Sequence, residues 1–577
     1  MSMKILEGIV GSTGFGSGMA VVKRETALEP EKFTITDTAA EVARFRAAQA
    51  DCEAHLDKLI AESEGVSEDA VEIFGAHKTI LQDEAFFKKA LDRTEAEKTN
   101  IEYLIHDECQ AVVAMFAALD DPYLQERAAD IEQVCGALIK ALLGLEQDFK
   151  AGGADGDDVI IVAHDLTPAE TVQMDKSTLR GFITEKGGAT SHTVILAKAL
   201  GIPAITGVVG VVDAVADGDF LLMDAFAGTV TVCPNETQKA AFLAGEARHR
   251  EKQKLYAEGL GSPAISIDGH HVDVNVNTGD AESIAGFDVT RCDGIGLLRT
   301  EFLYMGRDNY PDEEYQYEVY ADLARRAEGK EVIIRTLDIG GDKQLGYMDM
   351  PVEDNPFLGY RAIRLCLDRR DVFQVQLRAI LRASAHGNVK IMFPMIINLE
   401  ELRAAKECVE EAKLSLKQDG LPFNKDIPVG IMIETPAAAL LSDRLARESD
   451  FFSVGSNDLI QYITATDRMN ERIQHLYDSY NLSVLNAIRM VSESAHAAGI
   501  PWGICGEVGS EDRLIPLWVA LGVAELSVAP SMVGRVKYLV RRTNRAELAA
   551  KMKDVLALET ADEARAALTQ ILEQVEA

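Results

Sequence analysis

Apolar residues in the first 25 positions are scattered among glycines, as in KILEGIVGSTGFGSG, which predicts a short strand with glycine turns. From about Ala39 to Leu145 the period changes. Runs such as AAEVARFRAAQADCEAHLDKLIAESE and DAVEIFGAHKTILQDEAFFKKALDRTEAEK repeat apolar residues at three and four, with charges on the other faces. That pattern predicts a helical hairpin or bundle inserted after the first strand. AGGADGDD, from Ala151, makes a loop, and the short apolar runs VIIVAHDL, LRGFITE, FLLMDAF and GTVTVCP then predict a small α/β unit. The run NETQKAAFLAGEARHREKQKLYAEGL, from Asn235, is helical in period but lacks a full apolar stripe. It suits a connector between domains better than a core element.

From about Ser262 to the end, strand-like and helix-like segments alternate. Eight candidates for buried strands are VDVNVNT, GIGLLRTEF, VIIRTLDIGG, VKIMFPMI, PVGIMIETPAA, DFFSVGSNDLIQY, PWGICGEVG and AELSVAP. Eight such strands separated by helices fit a (β/α)8 TIM-type barrel. Each is expected to be apolar until its C-terminal end, where a chemical group appears: Arg299, Arg335 with Asp338, Glu434, Asn457 with Asp458, and Cys505. In such barrels the C-terminal strand ends form the mouth where active sites are built. The reading is therefore an α/β multidomain chain. Residues 1–25 and 146–234 make a small α/β domain, 26–145 an inserted helical domain, 235–261 the connector and 262–577 the barrel.

One loop in the small α/β domain has its own chemistry. GGATSHTVILAKALGIPAITG begins at Gly187 and reads as a glycine loop, capping hydroxyls at Thr190 and Ser191, then a helix. A helix N-terminus offers free N–H groups and partial positive charge, so it can hold a phosphate and keep an adjacent histidine, here His192, neutral.

Composition narrows the picture. The chain has 577 residues, too many for one core. Its 58 basic and 93 acidic residues give a net charge of -35, which argues against nucleic acid or an anionic membrane as the main partner and suits a basic protein. The N-terminus lacks the apolar core of a signal peptide and no run is long enough to span a bilayer, so no membrane insertion is expected. The 8 cysteines have no CxxC pair or zinc spacing, which points to reduced thiols in the cytoplasm.

The strand-end groups suit a small phosphorylated carboxylic acid. Arg299 and Arg335, with Arg361 in NPFLGYRAIR and Arg468 in ATDRMNE, can clamp anionic oxygens in bidentate geometry. Glu434 and Asp458 offer two carboxylates from neighbouring strands, as a Mg2+ shared with a phosphorylated substrate requires. Cys505, in GICGE, can deliver a proton to carbon; the commoner fate of such a cysteine is a small buried hydrophobe. A phosphate-ready histidine on one domain and a phosphate-donor site on another together suggest phosphoryl transfer through phosphohistidine.

GGATSHTVILAKALGIPAI, GLLRTEFLYM, RTLDIGGDK, NPFLGYRAIR, MFPMI, IETPAA, VGSNDLIQY and CGE occur here in the order found in Enzyme I of the phosphoenolpyruvate:sugar phosphotransferase system, which the chain resembles over essentially its whole length. The resemblance extends to GAHKTILQDEAF and DDPYLQERAADI in the helical part. It implies a swivelling phosphohistidine domain, and autophosphorylation of His192 through Nε2 by phosphoenolpyruvate, with Thr171 as its hydrogen-bond partner. It further implies that Arg299, Arg335, Asn457, Asp458 and Arg468 bind phosphoenolpyruvate, with Arg361 and Lys343 near by. Glu434 and Asp458 would hold Mg2+, and Cys505 would protonate the enolate to pyruvate. The helical insertion, around 68–84 and 124–131, would dock the phosphocarrier HPr, and the barrel would form a homodimer.

Departures from the family pattern are few. Ala189 stands where a basic residue is common, CGEVGSED replaces the usual CGE-x-AGD, HLYDSYNLSVL lacks the prolines common after LY, and GSTGFGSG differs from the usual ASPG-type turn. None removes a transferring or ligating group, so they bear on affinity and partner choice rather than on the reaction. Pyruvate phosphate dikinase and phosphoenolpyruvate synthase share the histidine domain and barrel. They require an ATP-binding domain ahead of the histidine, and the segment there is helical with no Gly-rich nucleotide loop. A non-catalytic binder that sequesters a phosphocarrier is disfavoured by the intact His192, carboxylates, arginines and Cys505.

Overall fold

The computed structural model describes residues 4–24, 29–63, 68–117, 122–145, 158–166, 170, 178–187, 194, 197–198, 201–279, 281–340, 345–348, 350–470 and 472–577. It divides into two compact units, Met1–Arg248 and His249–Ala577.

The first unit holds one eight-stranded mixed sheet and a set of helices inserted into it. Along the sheet the strands run Lys4–Glu7, Thr229–Val232, Phe220–Asp224, Phe15–Lys23, Val159–Ala163, Leu179–Thr184, Ala204–Thr206 and Ile9–Ser12. The expected single N-terminal strand is three strands, because Gly8 and Gly14 break the run. Gly14 sits at φ +153°, and a Cβ on Gly8 would lie 2.7 Å from the Thr206 carbonyl. The helices Thr38–Ser63, Glu68–Gln82, Glu84–Glu97, Ile101–Ala117 and Pro122–Leu142 interrupt the sheet between Phe15–Lys23 and Val159–Ala163, two strands that nevertheless pair in parallel. Their apolar stripes meet in a core that includes Phe45, Phe87, Ile101, Leu104 and Leu138, as the three-four periodicity requires. His192, Thr171 and Ala189 lie outside the described residues; Val194, Ala197 and Lys198 are helical.

The polar helix read from Asn235 runs Glu236–Glu258. Tyr256 is its buried residue, set edge-on to Tyr538 with ring centroids 5.1 Å apart. Lys252 pairs with Glu576 at 2.7 Å, so the last turns of the helix are tied to the second unit.

That second unit is a closed parallel barrel. Its strands are β1 (His271–Thr278), β2 (Gly294–Leu298), β3 (Glu331–Arg335), β4 (Asn388–Phe393), β5 (Val429–Ile433), β6 (Phe452–Val454), β7 (Trp502–Ile504) and β8 (Glu525–Val528). Each pairs in parallel with the next, and β1 pairs in parallel with both β2 and β8, which closes the ring. Outward-facing Val274, Ile334, Ile391, Ile431, Val454, Ile504 and Leu526 join the helices in one large core.

The alternate residues fill the barrel in tiers. A middle collar of Leu297, Ile333, Met392, Met432, Phe451 and Cys505 is largely apolar. Above it stand the strand-end charges. Below it lies a second polar tier, and here the expectation of strands apolar until their C-terminal ends is corrected. Asn275 of β1 donates to Glu331 of β3 at 3.3 Å and to Glu525 of β8 at 3.0 Å, and Lys390 of β4 pairs with Glu331. These groups are tolerated inside because they satisfy one another across the barrel. Among the described residues no helix is long and apolar enough to cross a membrane.

Candidate active site

The barrel mouth is built around one carboxylate, Asp338, just beyond β3. It accepts from the Arg335 guanidinium at 2.8 Å through one oxygen and from Arg361 at 2.8 Å through the other. Arg335 also pairs with Glu301, three residues past the end of β2, and Arg361 reaches Asp458 at 3.4 Å. Four of these groups, Arg335, Asp338, Arg361 and Asp458, form a continuous buried chain of alternating charge. Burial draws both guanidiniums down, but the carboxylates more than offset it, so Arg335 and Arg361 end above their ordinary values and remain charged.

Local chain geometry sets this arrangement. Thr300 is fully buried between β2 and β3, donating to the Arg335 carbonyl at 3.0 Å and accepting from Gln376 at 3.1 Å. Gly340 has φ +122°, and a side chain there would run into Arg361, so only glycine lets the loop pass beneath the guanidinium. Phe357, from the NPFLGYR run, packs under both Arg361 and Arg468, at 5.9 Å and 5.8 Å from ring centre to guanidinium carbon.

Glu434 is fully buried one residue past β5. Its Oε1 accepts from the Met395 N–H at 2.6 Å, and Met395 holds φ 57° to deliver it. A bulky residue in that conformation costs about 1–3 kcal/mol, so the packing around the mouth must hold it there. Burial, followed by the charges of Asp458 and Asp338, pushes the Glu434 carboxyl up to about 8. Its Oε2 is buried with no hydrogen-bond partner. An orphaned carboxylate oxygen beside a second carboxylate is the hard-oxygen donor set that Mg2+ takes when a phosphorylated substrate supplies further oxygens. Among the described residues no three His, Cys, Asp or Glu groups are spaced to hold a metal by themselves, which agrees with that division.

Asn457 and Asp458 open the helix Ser456–Thr464 directly after β6. Asn457 donates to Glu507 at 3.3 Å and accepts from the Glu507 N–H at 3.3 Å, linking the VGSND and CGE runs. Cys505 ends the inner face of β7 at 3% exposure, its thiol donating to the Val454 carbonyl at 3.6 Å. Burial pushes that thiol up to about 12, so at neutral pH it keeps its proton. Arg299 is exposed on the rim, and no described residue pairs with its guanidinium.

Comparison with known proteins decides the family. The PEP-binding domain of PEP-utilising enzymes matches residues 253–545, their mobile domain 155–228 and their N-terminal domain 7–127. The phosphoenolpyruvate-protein phosphotransferase of Priestia megaterium is 38% identical over 561 residues, covering 97% of this chain and 98% of that protein. That of Bacillus subtilis (strain 168) is 39% identical over 562 residues, with the same coverage of each. The chain belongs to the phosphoenolpyruvate-protein phosphotransferase (Enzyme I) family.

Of the site residues read from this enzyme's sequence, the structure brings Arg335, Arg361, Glu434 and Asp458 into one electrostatic cluster. Asn457, Arg468 and Cys505 stand around it, Arg299 stands at the rim, and Lys343 lies outside the described residues. Two residues were missed. Asp338 was seen at its strand end but given no role, although it holds both buried arginines. Glu301 was not singled out, although it follows Arg299 in the same RTEF run that marks the end of β2. The signal for both was the same polar strand end that exposed the arginines.

Proposed function

We infer that this enzyme takes the phosphoryl group of phosphoenolpyruvate onto His192 and passes it to a histidine of the phosphocarrier HPr, the first step of phosphotransferase-system sugar uptake. In the first half-reaction the bond between phosphorus and the enol oxygen breaks and a bond from phosphorus to His192 Nε2 forms. The leaving enolate takes a proton at C3 from the Cys505 thiol and departs as pyruvate. Thr171 would orient the imidazole by a hydrogen bond.

The observation that carries this reading is the buried Arg335–Asp338–Arg361–Asp458 chain. Its guanidiniums are charged and fixed in place by partners on their far sides, so they meet an anionic substrate without reorganising. Arg299 and Arg468 close on the substrate from the rim, Asn457 offers its amide, and Lys343 adds a cation. Glu434 and Asp458 would hold Mg2+, which when bound supplies positive charge to the phosphoryl oxygens. Cys505 suits its role because a thiol that stays protonated at neutral pH is available as an acid. The acidic helical insertion, at 68–84 and 124–131, offers a docking face of opposite sign to a basic carrier. We place the enzyme in the cytoplasm as a homodimer joined through its barrels.

The test mixes purified enzyme with phosphoenolpyruvate and Mg2+, without ATP, and follows pyruvate and acid-labile phosphate on the protein. A pyruvate burst stoichiometric with subunits, lost in His192→Ala, is expected. Pyruvate formation that needs ATP, or label that survives His192→Ala, overturns the reading.

A further inference from the structure

Cys505 gives up its proton in every cycle and must regain one before the next. The floor of the barrel holds a buried acid that the mechanism leaves unused. Glu525, the first residue of β8, is held inside the barrel with its carboxyl accepting from Asn275 Nδ2 at 3.0 Å. Two strands are hollowed out to admit it. A Cβ on Gly296 of β2 would collide with Glu525 Oε1, and a Cβ on Gly503 of β7 would lie 2.8 Å from Oε2. Gly503 is two residues before Cys505, so the carboxyl occupies the place of a side chain one step below the thiol on the same inner face.

A hydroxyl stands at the same level of the barrel, on the strand beyond β7. Ser453 of β6 is paired in register with Gly503, and Gly503 with Glu525. The Ser453 hydroxyl is fully buried without a standard hydrogen-bond partner, and it stands beside the Cys505 sulfur, whose acidity it raises. A buried hydroxyl that neither donates nor accepts elsewhere is free to do both in turn.

On the other side the floor opens to water. Ser527 shares the Gly296 notch with Glu525, Cys505 lies on its mouth side, and toward the floor Asn275, Glu331, Lys390 and Asp273 act on it. Side-chain exposure rises from about a fifth at Lys390 and Glu331, 19% and 21%, to 53% at Asp273. Burial, then the Glu331 charge, raises the Glu525 carboxyl well above its ordinary range, which favours its protonated form.

We propose that Glu525 reprotonates Cys505 through Ser453, with protons entering from the solvent-facing floor of the barrel. This rests on the reading of Cys505 as the proton donor to the enolate. After pyruvate forms, Glu525 gives its proton to Ser453 Oγ while the Ser453 proton moves to the Cys505 thiolate. The resulting Glu525 carboxylate is held by the Asn275 amide and the nearby Lys390 charge until a proton arrives by way of Asp273 and Glu331. Glu525 touches no substrate and acts only through Cys505.

The experiment uses the full-length enzyme with phosphoenolpyruvate and Mg2+, first alone and then with the HPr carrier to permit turnover. In Glu525→Gln the first-turnover pyruvate burst should keep its rate and amplitude, because Cys505 starts protonated. Steady-state pyruvate formation should fall about tenfold or more, the scale of a lost proton-transfer group, with thiolate absorbance building up in the ultraviolet. Ser453→Ala, which leaves the carboxyl in place, should reproduce the split, and Glu525→Asp should recover part of the rate. Unchanged steady-state turnover in Glu525→Gln and Ser453→Ala overturns the proposal, as does equal slowing of burst and turnover without thiolate, which would mark a structural role. No burst in the wild-type enzyme would instead refute the function proposed above.

Discussion

Asp338→Asn removes one charge from the middle of the buried chain and leaves its shape intact. Asp338 holds Arg335 and Arg361 at 2.8 Å each. At an effective dielectric near 20, each contact is worth roughly 6 kcal/mol of attraction, most of which is spent on desolvation. Breaking a buried pair by removing one partner costs about 3–5 kcal/mol. Here each guanidinium keeps a second carboxylate, Glu301 or Asp458, so the lower end applies, about 3 kcal/mol. Thermal unfolding of the barrel should then drop by roughly 4 °C. A second effect separates this from any generic loss. The Asp338 charge is one of the causes that hold the proton on Glu434, whose carboxyl lies near 8. A Mg2+ held by Glu434, as proposed, would have to displace that proton, so in the wild type its affinity should rise with pH and level off near 8. In Asp338→Asn the levelling-off should move to lower pH, read by titration calorimetry across pH and by the carboxyl infrared band. A variant that unfolds within about 1 kcal/mol of wild type and levels off at the same pH would refute the account of Asp338 as the charge hub.

Three further outcomes follow from the same geometry. In Gly455→Ala the new methyl would lie 2.9 Å from Glu434 Oε2 and from Met432 Cγ, so about 1–3 kcal/mol of stability should be lost. Its Mg2+ affinity should fall about tenfold or more by equilibrium dialysis; unchanged affinity would remove Oε2 from the metal site. Arg299→Ala should leave the unfolding temperature unchanged, since no described residue pairs with that guanidinium, yet raise the KM for phosphoenolpyruvate about tenfold or more. A stability loss like that of Asp338→Asn would show Arg299 to be structural. For metal-free protein, the Glu434 carboxyl is raised from an ordinary 4.5 to about 8, so its bound proton stabilises the fold. That contribution is complete below about 4.5 and is lost as pH rises through 8. Denaturant titrations should therefore show wild type losing stability relative to Glu434→Gln across that window, and parallel curves would contradict the sign.

Sequence by itself determined the local and periodic features. The three-four spacing from Ala39 to Leu145 predicts the inserted helices, the eight apolar runs after Ser262 predict the barrel strands, and the polar residues that end them predict the mouth. Each of these is carried by neighbours in the chain, because side-chain period and strand-end position depend only on local backbone geometry. His192 stands out from its glycine loop and capping hydroxyls, whereas Thr171 and Lys343 enter only through the family resemblance, and all three lie outside the described residues.

Tertiary structure decided which groups meet. Nothing local to Glu301 says that it pairs with Arg335 rather than with Arg299, and nothing local to Asp338 says that it holds two arginines. The floor tier was hidden for the same reason. Asn275, Glu331, Lys390 and Glu525 lie on four strands far apart in sequence; Glu331 and Glu525 open theirs, and Lys390 and Asn275 sit further in among other polar residues. Parallel register and ring closure bring them together inside the barrel. The N-terminal strands Lys4–Glu7 and Ile9–Ser12 were missed because they pair with Thr229–Val232 and Ala204–Thr206, some 200 residues downstream. Short strands are stabilised by cross-strand partners rather than by their own residues, so their existence and the charges they bring together are properties of the closed fold.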